Sequence, residues 1–259
     1  MSELVISEHG EDGILRLTLN DPATRNSLSE KMIDELLRSL QASDARAVII
    51  AANGPAFSSG HNLKEITAHR ADVDGGSAYF NNLFAKCAEL MLAIVNQPCP
   101  VIAEVDGLAS AAGCQLVASC DLAIATDRSK FCTPGVNIGL FCSTPMVALT
   151  RVVSRKHAME MLLTGDLISA DDALRFGLIN KVTSHNELKA ATEELAKKIA
   201  SKSAAAIKIG KRAFDVQLEM PMAESYAHMA KIMAENLLVN DAREGIEAFI
   251  QKRLPTWEN

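Results

Sequence analysis

Two stretches of small residues in this sequence are expected to present backbone N–H groups as hydrogen-bond donors. The first stretch is FSSGHNLKE at 57–65, and the second is LASAAGC at 108–114, which lies inside the longer segment 101–140. The first N–H groups of a helix have no partner within it and carry partial positive charge. Small side chains let a ligand oxygen approach such donors closely. If the stretches converge, N–H groups near His61 and Ala112 would hold one developing oxyanion.

The elements that would position these donors alternate between strands and helices. A hairpin is predicted from Leu4 to Leu19, and Ser27 with Glu30 has the spacing of a helix capping box. The apolar run at 47–51 and the residues at 122–125 predict buried strands, and 101–105 is a further strand-like run. Buried strands separated by helices are typical of an α/β fold.

Helical periodicity accounts for most of the remaining chain. Helices are predicted at 79–95 and 114–119, from Pro145, at 155–163, after a cap formed by Ser169 and Asp172, and at 187–200, 204–218, 221–238 and 242–253. A strand is predicted at 178–182, and residues 66–77 are predicted to form a mobile polar loop beside a cleft. Because only helices are predicted in the C-terminal part, we divide the chain into a core, 1–195, and a helical region, 196–259.

Composition excludes several classes of function. The 259 residues carry a net charge of −6, which argues against a nucleic-acid partner. The six cysteines form no C-x-x-C pair and are expected to be buried free thiols, and the six histidines lack metal-ligand spacing, so no metal is expected. We find no secretory signal and no apolar run long enough to span a membrane. A soluble, cytoplasmic protein without a membrane partner is therefore expected.

Four motifs in this order resemble those of the crotonase, or enoyl-CoA hydratase/isomerase, family. FSSGHNLKE resembles the family's F-[SA]-[AS]-G-x-D-[LI]-K-E, and PGVNIGL at 134–140 resembles P-E-[VI]-x-[IL]-G-L. Residues 100–125 are similar to P-V-I-A-x-[VI]-x-G-x-x-x-G-G-G-x-E-L-x-x-x-C-D, and 163–182 are similar to the segment that contains A-x-x-A-x-x-x-G-L. The resemblance covers essentially the whole chain.

This resemblance implies a crotonase-like spiral of ββα turns with a C-terminal helical trimerisation region, assembled as a trimer or a dimer of trimers. It implies an acyl-CoA thioester ligand, with coenzyme A as part of the substrate and no other cofactor. The thioester oxygen would lie between the N–H groups of His61 and Ala112, where the family usually has glycine at the second position. The substrate-binding positions that it implies are Arg25, Ser59, Gly60, Asn62, Leu63, Gly113, Ser143 and Lys252. Arg25 and Lys252 are equally compatible with solvated surface charges.

The sequence departs from the family at the acid–base positions. The family's hydratases use two glutamates, one to deprotonate water and one to protonate the α-carbon. These positions fall on Gln115 and Gly135, and an aspartate that some isomerases use falls on Ser143. None of these three residues titrates near neutral pH. Hydration is therefore expected to be weak, although Gln115 can still orient a water molecule.

Several functions remain open at this stage. An oxyanion hole alone supports decarboxylation of a malonyl-type thioester, since loss of CO₂ generates the enolate without a base. Thioester hydrolysis would need water activated by His61, Cys142, Ser143 or the 66–77 loop. The alternatives outside catalysis are a non-catalytic acyl-CoA-binding protein and an oligomeric scaffold with a vestigial site. The retained Gly60 and Gly113 favour ligand binding over the scaffold.

Overall fold

Two sheets of unequal size organise the protein. The computed structural model describes residues 3–258 and assigns ten strands within them. The strands are β1 (Val5–His9), β2 (Ile14–Leu19), β3 (Ala47–Ala52), β4 (Ala56–Ser58), β5 (Val101–Val105), β6 (Leu108–Ser110), β7 (Leu122–Thr126), β8 (Lys130–Cys132), β9 (Ile168–Ser169) and β10 (Lys181–Thr183).

The larger sheet contains the strands that the sequence predicts. Its order is β1-β2-β3-β5-β7-β10, with an antiparallel β1–β2 hairpin followed by parallel neighbours. All five residues of β5 and the first five residues of β3 are buried, as is typical of parallel strands, and the buried Glu104 of β5 pairs with Arg16 at 2.8 Å. The α/β fold is therefore confirmed, and the predicted strand at 178–182 begins later, at Lys181.

The smaller sheet has the order β4-β6-β8-β9 and is not predicted from the sequence. Its strands are only two or three residues long, too short for a period-two pattern. It pairs β4 with β6 in parallel, with Ala56 opposite Leu108 and Ser58 opposite Ala109. Because parallel strands end at the same edge, the two small-residue stretches leave this sheet side by side.

Eleven α-helices lie within residues 3–258. They are α1 (Glu30–Gln41), α2 (Leu63–Ala68), α3 (Ser77–Val95), α4 (Ala112–Ser119), α5 (Ser143–Val152), α6 (Arg155–Thr164), α7 (Ala170–Phe176), α8 (Leu188–Ala200), α9 (Ala204–Leu218), α10 (Met222–Leu237) and α11 (Asn240–Ile250). The capping box of Ser169 and Asp172 is confirmed at α7. The predicted cap at Ser27 is wrong: Ser29 precedes α1, and its hydroxyl accepts from the Met32 N–H at 3.2 Å.

The segment 66–77 contains more helix than the predicted loop, and its mobility stays a prediction. Its first residues complete α2, and His69–Ala71 form a short 3₁₀ helix. The His69 ring stacks on Tyr79 at 3.6 Å between centroids, and its Nδ1 lies 2.8 Å from an Asp72 carboxylate oxygen. These local contacts give the segment a defined path into α3.

Helix α3 is the one helix in the described part of the chain that is long and apolar enough to cross a membrane, judged by length and composition alone. The prediction that no apolar run reaches this length is therefore wrong. Leu83, Cys87, Leu90 and Ile94 of α3 are buried in the main core cluster. Because core helices pass the same test of length and composition, we draw no conclusion about a membrane from α3.

The contacts of the C-terminal helices with the core include those of α8 and of the half-buried Lys211. Ala196 of α8 packs with Ile49 and Ile102 in a second core cluster. The Lys211 ammonium of α9 donates to the carbonyl oxygens of Ile94 and Cys99 and to Asp121 at 2.6 Å. The predicted division after residue 195 remains a prediction, and that position falls inside α8.

Candidate active site

Two glycines bring the chain after β4 into contact with the chain after β6. Gly60 has a φ of +85°, and a Cβ atom at this position would lie 2.9 Å from the Ser110 carbonyl oxygen and 3.2 Å from the Ala112 nitrogen. A Cβ atom on Gly113 would collide with the carbonyl oxygen of Ser58. The two small-residue stretches are therefore packed backbone to backbone, which only glycine permits at this separation.

The start of α4 is held in a strained conformation. Ala111 has φ 50° and ψ −115°, a region that non-glycine residues rarely adopt, and its N–H donates to the Cys132 carbonyl at 2.9 Å. The helix then begins at Ala112, two residues before the predicted start. In the described part of the chain, the N–H groups of Ala112 and His61 donate to no protein acceptor.

The loop 59–61 is held by the segment that precedes α1. The Ser59 N–H donates to the Arg25 carbonyl at 3.0 Å, and its hydroxyl donates to the Thr24 carbonyl at 3.1 Å. The Gly60 carbonyl accepts from the Leu28 N–H at 2.8 Å. Arg25 is exposed and adjoins Ser59, so its guanidinium is available to an anion near this loop.

The other predicted binding residues are described by their local surroundings, and their binding roles stay predictions. The Asn62 side chain caps α2 and accepts from the Lys64 N–H at 3.1 Å, while Leu63 is 51% exposed at the first position of this helix. Ser143 is exposed at the start of α5, with its hydroxyl 3.4 Å from the Phe141 carbonyl. Lys252 follows α11, and within residues 3–258 no hydrogen bond joins it to the loops around Gly60 and Gly113.

The His61 imidazole is turned into the protein and not toward solvent. Its Nδ1 lies 3.2 Å from the Leu28 carbonyl oxygen, and the ring contacts Phe84 edge to face at 5.4 Å between centroids. Nε2 is buried and has no partner in the described part of the chain. Burial lowers the pKa of His61, against the opposing effect of the Leu28 carbonyl. The ring is therefore neutral at pH 7, and the proton belongs on Nδ1.

This burial predicts a pH-dependent stability. Because the pKa of His61 is lower in the folded state, the unfolded chain takes up the proton first as the pH falls. Stability should therefore decrease below about pH 6.5, by at most about 1.4 kcal/mol per pH unit from this group. We expect His61→Gln, which can still donate to Leu28, to lose less stability than wild type between pH 7.5 and 5.0 in urea unfolding. An unchanged loss, or an equal effect of His9→Gln at the exposed end of β1, would contradict this assignment.

The acid–base positions contain no carboxylate. Gln115 is only 5% exposed in α4, and its Oε1 is buried without a partner among the described residues. Gly135 is buried, and a Cβ atom on it would lie 3.0 Å from the Cys142 Sγ. The Gly135 N–H donates to the same sulfur at 3.3 Å. The Cys142 thiol thus occupies the space beside Gly135.

Burial also changes the pKa of the thiols near Gly135. It raises the pKa of Cys142, an effect that the Gly135 N–H partly opposes, and it raises the pKa of Cys114 strongly. The thiolate is the nucleophilic form, so neither cysteine is activated at pH 7. All six cysteines are free and buried, as predicted.

Thr133 is a buried polar residue that the sequence reasoning missed. It directly precedes Pro134, is 1% exposed, and its Oγ1 has no partner within residues 3–258. A single threonine between an apolar strand and a proline has no periodic pattern that would mark it. Thr133 lies close to the start of α4, because the carbonyl of the preceding residue, Cys132, accepts from the Ala111 N–H.

The alternating fold and the two converging loops define a crotonase-type protein. A family model described as Enoyl-CoA hydratase/isomerase matches residues 9–259, and the chain belongs to this family. The predicted family and its α/β fold with C-terminal helices are therefore confirmed. The crotonase family acts on acyl-CoA thioesters.

Within this family, the chain is similar to enoyl-CoA hydratase domain-containing protein 3. It is 48% identical to the rat protein of that name over 257 residues, which covers 98% of this chain and 84% of the rat protein. The crystal structure of the human protein has a TM-score of 0.93 at 47% identity, covering 98% of this chain and 100% of that one. An enoyl-CoA hydratase structure from Mycobacterium smegmatis has a TM-score of 0.93 at 44% identity and covers 100% of both chains. The segments AAGCQLVASCD and PGVNIGLFCSTP are those that indicate this subgroup in the sequence.

The expected cytoplasmic location is wrong. The rat and human relatives, with the corresponding mouse and frog proteins, are all named as mitochondrial. An acidic composition without a secretory signal does not distinguish between these compartments, so the sequence argument had no means of separating them.

Proposed function

We propose that this protein binds an acyl-CoA thioester and stabilises its enolate through the N–H groups of His61 and Ala112. The observations that support this most directly are the backbone contact of Gly60 and Gly113 with the opposite loops and the absence, within residues 3–258, of a protein acceptor for either N–H group. Each preorganised donor of this kind contributes about 3–4 kcal/mol to a transition state that carries an oxyanion.

The coenzyme A part of the ligand would approach from the Arg25 side. Arg25 is exposed beside Ser59, where its charge favours a phosphate group, and Leu63 offers an exposed apolar surface. No other cofactor is part of this proposal. Lys252, which within residues 3–258 forms no hydrogen bond to the loops around Gly60 and Gly113, would contribute from a neighbouring subunit.

Self-association as a trimer, or as a dimer of trimers, is part of the same proposal. It is supported by large apolar side chains that the C-terminal helices expose, including Met222, Tyr226, Leu238 and Phe249. Light scattering coupled to size-exclusion chromatography should give three or six times the chain mass of 27.8 kDa. A monomeric mass would contradict this part of the proposal.

The chemistry proposed is enolate stabilisation without paired carboxylates. Gln115 can hold a water molecule but cannot accept its proton, and Gly135 has no side chain. Each general acid or base typically contributes 10²–10⁴-fold, so we expect hydration of enoyl-CoA to be slower by roughly these factors. Nucleophilic hydrolysis by Cys142 or Ser143 is disfavoured, because the first is a protonated thiol and the second is exposed. The remaining alternatives are decarboxylation, hydrolysis by water activated at His61 or the 66–77 loop, and acyl-CoA binding without turnover.

One panel of substrates separates these possibilities. The protein is incubated with crotonyl-CoA, malonyl-CoA and butyryl-CoA, while enoyl absorbance, CO₂ release and free thiol are followed. We expect slow loss of enoyl absorbance, with tight binding of all three thioesters by calorimetry. Rapid crotonyl-CoA hydration would contradict the expectation that the loss of both glutamates slows this reaction. If none of the thioesters binds, the proposal as a whole is overturned. CO₂ release from malonyl-CoA would assign decarboxylation as the reaction.

A further inference from the structure

Helices α9 and α10 have little apolar attachment to the rest of the chain. Within residues 3–258, neither helix contains a buried residue, whereas α1 alone buries five. No residue of α9 or α10 belongs to the two core clusters in the described part of the chain. Burial of an apolar face is the main source of helix stability in proteins. Another interaction is therefore needed to fix α9 on the core.

The Lys211 ammonium of α9 supplies such an interaction. It donates to the Asp121 carboxylate at 2.6 Å, to the Cys99 carbonyl at 3.1 Å and to the Ile94 carbonyl at 3.3 Å. An ammonium group has three N–H donors, so each donor has an acceptor here. Lys211 is half-buried, whereas Lys208, about one turn earlier in α9, is exposed.

The three acceptors belong to three different parts of the core. Ile94 is in the last turn of α3, and the residue four positions further on is a proline, which has no N–H to offer the Ile94 carbonyl. Cys99 precedes β5, and Asp121 directly precedes β7. The Asp121 carboxylate also accepts from the Val101 N–H of β5 at 2.7 Å. One side chain therefore connects α9 to α3, β5 and β7.

The ion pair is sensitive to the loss of either partner. Burial raises the pKa of Asp121, and the charge and hydrogen bond of Lys211 oppose this effect. Removal of one partner from a buried pair leaves the other charge uncompensated, which is strongly unfavourable. Such pairs add little net stability and are best known for fixing one arrangement of the elements that they join.

We propose that the ion pair of Lys211 with Asp121 is a latch that holds α9 on the core and so sets the position of the helices that follow it. When the latch opens, α9 and α10 leave the core as one local unit, while the larger sheet stays folded. These helices carry exposed apolar side chains such as Met222 and Tyr226. The latch therefore controls the surface that is offered to a second copy of the chain.

Hydrogen–deuterium exchange of the intact chain, followed by mass spectrometry of its peptides, tests the latch. Lys211→Met keeps the length of the side chain and removes the ammonium group. We expect the amides of α9 and α10 to exchange at least about 10-fold faster than in wild type at pH 7, since hydrogen bonds to a charged group are lost. The amides of β2 and β3 should exchange at the wild-type rate. Lys211→Arg, which keeps the charge, should keep α9 within about threefold of wild type.

Two further variants make the test specific. Lys208→Met is the matched control, because it makes the same change at an exposed position of the same helix, and it should leave every rate unchanged. Asp121→Asn keeps an oxygen that accepts from the Val101 N–H and removes the charge that faces Lys211. It should accelerate exchange in α9 and α10 by about threefold or more, and it carries the test if Lys211→Met does not fold.

The outcomes separate the latch from the proposed self-association. Exchange of α9 at the wild-type rate in both Lys211→Met and Asp121→Asn would overturn the latch. Equal acceleration of α9 and β3 would overturn it as well, because Lys211 would then stabilise the whole fold and not one local unit. If light scattering shows a monomeric wild type and Lys211→Met still accelerates exchange in α9 alone, the latch is supported and the proposed assembly fails.

Discussion

Replacement of Gly113 by alanine is expected to destabilise the protein by about 3 kcal/mol or more, because overpacking against backbone atoms cannot be relieved by a side-chain rotation. The added Cβ atom would meet the carbonyl oxygen and the Cβ of Ser58, while every residue of α4 is buried. The collision would push β4 and its loop away from α4. We therefore expect loss of acyl-CoA binding together with a fall in melting temperature of about 6–12 °C.

The same substitution at Gly210 is the matched control. Gly210 is in α9, and a Cβ atom there would meet nothing within 4 Å. Alanine is favoured over glycine inside a helix by about 0.5–1 kcal/mol, so Gly210→Ala should be neutral or stabilising. Thermal unfolding and calorimetry with butyryl-CoA measure both variants. A Gly113→Ala protein as stable as wild type, with acyl-CoA binding retained, would contradict the packing described for the two loops.

The second large effect is an expected gain of hydratase activity. The triple variant Gln115→Glu, Gly135→Glu and Cys142→Ala restores both carboxylates and removes the sulfur that occupies the space beside Gly135. We expect crotonyl-CoA hydration to rise by about 10²-fold or more over wild type, since each general acid or base contributes at least that factor. The rate is followed by loss of enoyl absorbance.

The intermediate variants make this prediction specific. Gln115→Glu alone supplies one carboxylate and should recover only part of the rate. Gly135→Glu without Cys142→Ala places a Cβ atom 3.0 Å from the sulfur, so we expect lower stability and a smaller gain than in the triple variant. A stable triple variant that binds crotonyl-CoA and hydrates it no faster than wild type would show that the missing carboxylates are not what limits this site.

The larger sheet and most helices follow from the sequence because they are local patterns. The buried runs at 101–105 and 122–125 and the periodic stretch at 79–95 carry their structure in their own residue order. The strands of the smaller sheet, such as β4 and β8, are three residues long and form only because neighbouring strands pair with them. A pattern of that length contains too little information to predict.

Some features of the candidate site can likewise be predicted from the sequence, and others cannot. The small residues around His61 and Ala112, the resemblance to one family and the absence of both glutamates are all readable in the sequence, because each depends on residue identity at a fixed spacing. The orientation of the His61 ring, the left-handed φ of Ala111 and the thiol beside Gly135 are not. Each of these depends on a partner distant along the chain or on a backbone angle.

The sequence by itself determined the family, the strand–helix order and the residue types at the acid–base positions. Only the tertiary structure decided that the loops after β4 and β6 touch, with Gly60 against Ala112 and Gly113 against Ser58. It also decided that, within residues 3–258, Thr133 Oγ1 and Gln115 Oε1 are buried without a hydrogen-bond partner. The physical reason is that convergence and burial depend on how separate strands pair and pack. Residue types and their spacing do not contain that arrangement.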